Sequence, residues 1–87
     1  MTLTAAQTRQ LRRYLPTVAR GKTAWLILDL RSAGALQRAG LVTDRTVVYQ
    51  EMVDRDFGRD WICKTFRQQE WRLTPAGMAL VSSWLDA

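Results

Sequence analysis

The chain has no histidine and a single cysteine, Cys63. These two scarcities remove several chemistries at once. One cysteine closes no intrachain disulfide, which fits a reducing compartment. Zinc sites draw on clustered cysteine and histidine, and no such cluster exists, so no metal site is expected. The commonest general acid–base side chain is also missing. No glycine-rich phosphate loop is present. The longest strongly apolar stretch, residues 24–28, is far too short to cross a bilayer. The opening Met1-Thr2-Leu3-Thr4 lacks a charged region followed by an apolar run, so no signal peptide is expected. The expectation is a cytoplasmic protein that is not an enzyme, needs no cofactor and has no membrane partner.

What is present points to a packed domain with a basic surface. The 87 residues suit one domain. A domain this small buries a limited share of its surface, so its core must be well filled. Hydrophobic residues make up 47% of the chain, including Trp25, Trp61, Trp71 and Trp84, so a core can form without disulfide or metal. The net charge is +5, and the pI is about 10.4. Such an excess is the footprint of nucleic-acid binding. The plainer explanation is solubility. The charge is unevenly spread. Residues 1–22 carry Arg9, Arg12, Arg13, Arg20 and Lys22 and no acid. Residues 44–60 carry three arginines against five acids, and residues 61–74 turn positive again through Lys64, Arg67 and Arg72.

Residues 4–14 read as a helix. Thr4 and Gln7 stand at capping-box spacing, and Leu3, Gln7, Leu11, Leu15 and Val18 share a side. Pro16 ends or kinks this element. Residues 24–32 read as a second, deeply buried helix capped by Thr23, with a buried strand as the rival. Residues 35–40 form a short helical piece stopped by Gly40. Thr43 then caps a helix over 46–55, with Asp44 in its first turn. The pairs Val48/Met52 and Tyr49/Val53 carry that helix, while a strand through residues 46–49, rich in β-formers, is the rival. Gly58 breaks the chain. Residues 61–66 and 71–73 read as a hairpin around a polar turn at 67–70. Thr74-Pro75 starts a last helix with Met78, Val81, Trp84 and Leu85 on one stripe.

This order resembles a winged helix-turn-helix domain of bacterial or phage regulators. The likeness rests on Ala35-Leu36-Gln37-Arg38-Ala39-Gly40, on residues 43–52 as the start of a recognition helix, and on Trp71-Arg72-Leu73-Thr74-Pro75-Ala76-Gly77. It implies a mainly α fold with a small β-hairpin and an extra N-terminal helix. Residues 1–22 would be a basic helix packed on a winged-helix-like domain of residues 23–87. The presumed recognition segment is net acidic, a departure that phosphate oxygens disfavour.

The resemblance implies duplex DNA as first partner, in a regulatory, transcriptional or mobile-element setting, with a homodimer as a further expectation. Arg45 and Gln50 can pair bidentately with guanine and adenine. Thr46 and Tyr49 can reach phosphate or a thymine methyl, and Lys64 and Arg67 can contact phosphate from the hairpin. Arg9, Arg12, Arg13, Arg20 and Lys22 form the densest basic surface. Each also reads as an ordinary solvated residue. The alternative function is a phage-type inhibitor or adaptor that meets an acidic protein surface through the same arginines. A structural subunit of a larger particle is a third reading. Cys63 is expected to be buried and inert. The pairs Asp54/Asp56 and Glu51/Asp54 read as solvated carboxylates. An exposed tryptophan would mark a protein interface.

Overall fold

The structure, a computed structural model, describes residues 2–55, 58 and 60–86. Asp56 of the acid pair lies outside the described residues. Four helices and two strands follow in the order α1 (Ala5–Arg12), α2 (Leu15–Ala19), α3 (Leu30–Arg38), β1 (Val42–Arg55), β2 (Asp60–Leu73) and α4 (Pro75–Leu85). Each strand has 14 residues, whereas the longest helix has 11.

Local chemistry sets the helix ends. Thr4 accepts from the Gln7 amide and Gln7 Oε1 accepts from the Thr4 amide, a reciprocal capping box. Pro16 sits in the first turn of the separate helix α2, where its missing N–H costs nothing. Asp29 caps α3 by accepting from the Ser32 amide. Gly40, two residues past the end of α3, stops the helix with φ +76°. The Leu41 amide there returns to the Leu36 carbonyl and the Gly40 amide to Gln37. Thr74 caps α4 through the Gly77 amide, and its hydroxyl donates to the Gly40 carbonyl, tying the start of α4 to the end of α3.

β1 and β2 pair antiparallel along their whole length, from Val42↔Leu73 at the root to Arg55↔Asp60 at the tip. The Leu26 and Trp71 backbones exchange two hydrogen bonds, a one-residue third strand at the root. The core gathers Leu11, Tyr14 and Val18 with Leu28, Ala33, Leu36, Leu41 and Val81 around the root residues Val42, Trp71 and Leu73. It therefore joins residues from both 1–22 and 23–87. Beyond the root the hairpin projects as a free ribbon. The molecule measures 57 × 26 × 19 Å, with a radius of gyration of 17.1 Å. A compact chain of this length has about 12 Å.

Four expectations are corrected. The mainly α, winged helix-turn-helix-like fold gives way to a small α+β fold in which one long hairpin separates three helices from the last. Residues 46–55 lie in β1, not in a recognition helix. Residues 24–29 are non-helical, because Leu26 pairs with Trp71, and α3 starts only at Leu30 and runs through the expected short helix at 35–40. Residues 67–70 continue β2 rather than turning. Thr4, Gly40, Thr74 and the last helix stand as expected.

Candidate nucleic-acid interface

Charge divides the molecule along its structure. Up to residue 43, the part that forms α1 to α3, seven Lys and Arg residues face one acid, Asp29. Residues 44–74, nearly the whole ribbon, hold six basic and six acidic residues. The helical head is therefore strongly basic and the ribbon is neutral.

The ribbon candidates do not converge. Alternation along the paired strands sends Arg45, Tyr49 and Lys64 to one face and Thr46, Gln50 and Arg67 to the other. Arg45 is engaged locally. Its guanidinium binds Glu70 at 2.9 Å, the one ion pair among the described residues, and lies 4.2 Å from the Trp25 ring centroid. Arg72 covers the same ring at 4.8 Å, so Trp25 sits beneath two guanidiniums. Tyr49 stacks on Phe66 with ring centroids 5.4 Å apart. Asp44, expected in a helix turn, instead accepts from Gln37 and Gln69 and fastens the ribbon root to α3.

The head candidates divide differently. Arg13 is structural, donating to Gln10 and to the Ile27 carbonyl. Arg9 and Arg12, three residues apart on α1, line a hollow of about 350 Å³ with Leu3, Ala5 and Thr8. Arg20 and Lys22 are exposed beyond α2, where Gly21 at φ +68° turns the chain. A second hollow, about 300 Å³, opens between α1 and α3. Arg31 and Arg38 reach it from α3, beside Thr4 and Gln7 of α1. Neither arginine belongs to the contact residues expected from the sequence. Their seven-residue spacing is two helical turns and so places them on one side of α3, but it has this meaning only once Leu30–Arg38 is known to be a single helix. None of Arg9, Arg12, Arg20, Lys22, Arg31 and Arg38 has a carboxylate within ion-pair reach among the described residues.

Two further expectations change. Cys63 is exposed, not buried, because the ribbon projects beyond the core. Trp61 is exposed as well, while Trp71 is buried and Trp84 packs against the core. No group of metal ligands and no helix long and apolar enough to cross a membrane occurs among the described residues. Compared with family models, with curated proteins and with solved structures, the chain matches none.

Proposed function

We infer that the protein is a non-catalytic binder of duplex DNA that engages the phosphate backbone with its helical head. The observation that carries this reading is the charge division: six exposed cations on the head without carboxylate partners among the described residues, against a neutral ribbon. Arginines that line hollows offer planar donors to phosphate oxygens in a partly enclosed setting. Such contacts fix orientation and carry no base sequence. Arg31 and Arg38 join Arg9, Arg12, Arg20 and Lys22 as the contact set.

Binding by this route releases counterions, so the logarithm of the association constant falls linearly with that of salt concentration, by about 0.9 per phosphate neutralised. A fluorescence-anisotropy titration of mixed-sequence duplex, started near 50 mM salt, should give a slope between roughly −2 and −5. Replacing Arg31 and Arg38 with Ala should flatten it by about 2. No association at low salt, or a slope unmoved by the double substitution, overturns the reading.

A second reading is an adaptor for an acidic protein surface. It is favoured by the apolar residues Ile27 and Leu30, which stand exposed along a groove of about 250 Å³ with Gln68, Gln69 and Trp71. Competition by polyglutamate as strong as by duplex of equal charge would select it.

A further inference from the structure

The ribbon's two faces differ in a way the fold does not require. The face that carries Trp25 at its root covers itself. Tyr49 stacks on Phe66, and Val47, Val53, Ile62 and Phe66 are half-buried. The opposite face continues from the core residues Val42, Trp71 and Leu73, and past the root nothing in the described chain covers it. Val48, Met52 and Trp61 lie there with 57%, 61% and 56% of their surface exposed. Cys63, Thr65 and Gln50 fill the positions between them, and the face holds one cation, Arg67, and one acid, Asp54, the register partner of Trp61, from pair 46↔69 to pair 54↔61. Large apolar side chains bared in one strip mark an interaction surface. An isolated two-stranded hairpin is also marginal in water and gains stability when a face is covered.

We propose that a second copy of this chain covers this strip, giving a two-fold dimer in which the ribbons stack antiparallel, each tip toward the other's root. Charge selects this occupant. A neutral strip offers no attraction to DNA or to a strongly acidic or basic protein, and two neutral strips do not repel. The basic heads do repel, and the antiparallel arrangement separates them. With the two-fold axis at the level of Glu51↔Lys64, the roots lie about 60 Å apart, many times the Debye length of about 8 Å at physiological salt.

The same axis makes the strip complementary to itself. Arg67 stands three register steps on one side of it and Trp61 three steps on the other. Each Arg67 therefore meets the second copy's Trp61, a cation over an indole. Register pairs 47 to 55 overlap, a strip about 30 Å long and 10 Å wide. The two faces together present about 600 Å², and side-chain relief and edges bring the buried surface to about 1,000 Å² at most, the size of a weak, transient contact. A reversible dimer with micromolar dissociation follows. The proposal is independent of the DNA reading.

Sedimentation equilibrium of the full chain from about 1 to 500 µM should show a reversible monomer–dimer equilibrium centred on the micromolar dissociation constant. The double variant Val48→Lys, Met52→Lys should be monomeric throughout with an unchanged melting temperature. Arg67→Ala should weaken dimerisation about tenfold, as loss of one cation–π contact per copy does. Cys63 provides a readout without substitution, since it lies on the covered face: its rate of reaction with a thiol reagent should fall as protein concentration rises. A wild-type chain that stays monomeric, or dimerisation untouched by the double variant, overturns the proposal. Should the double variant unfold, the Cys63 rate decides alone, and a rate independent of concentration overturns it. Dimerisation with the DNA slope intact, or the reverse, separates the two readings.

Discussion

Tyr14 shows how one side chain holds three segments. It is buried at the N-cap of α2, between α1 and α2, and its hydroxyl donates to the Trp71 carbonyl at 2.6 Å. That carbonyl also accepts from the Leu26 amide at 2.9 Å. The helical segment, the one-residue third strand and the ribbon root thus meet at a single oxygen. Burial raises the Tyr14 pKa from 10.0 to about 12, against a smaller lowering by the neighbouring Arg13. Between pH 10 and 12 the folded state keeps a proton that the unfolded state has lost, so stability falls as pH rises through that window. Melting temperatures measured across it should drop, and Tyr14→Phe should remove this tyrosine's share of the drop. The same substitution should cost about 1 kcal/mol at neutral pH, because the carbonyl keeps its second donor.

At the scale of elements, the ends of helices were legible and the long strands were not. Thr4 and Thr74 announce their helices because capping chemistry is local to four residues. The segment 46–55 misled because its two diagnostic pairs, Val48/Met52 and Tyr49/Val53, are four residues apart. Four is an even number, so it returns to the same face of a strand as well as to the same side of a helix. The β-branched run at 46–48 was the better signal. Arg67 to Glu70 looked like a turn because it is polar on both faces, which is what a ribbon projecting into solvent requires. Gly77 was legible only as part of a helix start. In the structure it is buried, and a Cβ there would lie 2.0 Å from the Leu41 carbonyl oxygen, well short of van der Waals contact distance. That oxygen also accepts from the Thr74 amide, so the first turn of α4 lies directly on the junction between α3 and β1. Gly77→Ala should therefore destabilise the fold by about 1–3 kcal/mol in urea unfolding, despite alanine's better helix propensity.

For the whole molecule, the charge division was readable from the sequence as a basic N-terminal region and a slightly acidic middle. Its geometry was not. Arg31 and Arg38 gain meaning only from the length of α3. Arg45 and Arg13 lose theirs to Glu70, Trp25 and the Ile27 carbonyl, contacts that close over 25, 20 and 14 residues of sequence. No local pattern encodes such pairings. The large exposed tryptophan, Trp61, stands on the ribbon rather than on the basic head.

The ribbon's projection makes its length a quantity that can change without disturbing the rest. Only the root residues Val42, Trp71 and Leu73 enter the core, so the pairs beyond them are repeated units, not parts of a jigsaw. Removing Gln50 and Glu51 together with Lys64 and Thr65 deletes two complete register pairs. The ribbon shortens by about 7 Å, and every remaining side chain keeps its face. The head should melt unchanged in calorimetry. Removing one residue from each strand would instead turn the distal half over, exchanging Met52 and Trp61 with Val53 and Ile62. Insertions and deletions in steps of two thus offer this molecule a graded adjustment of reach, whereas a step of one is a switch of surface.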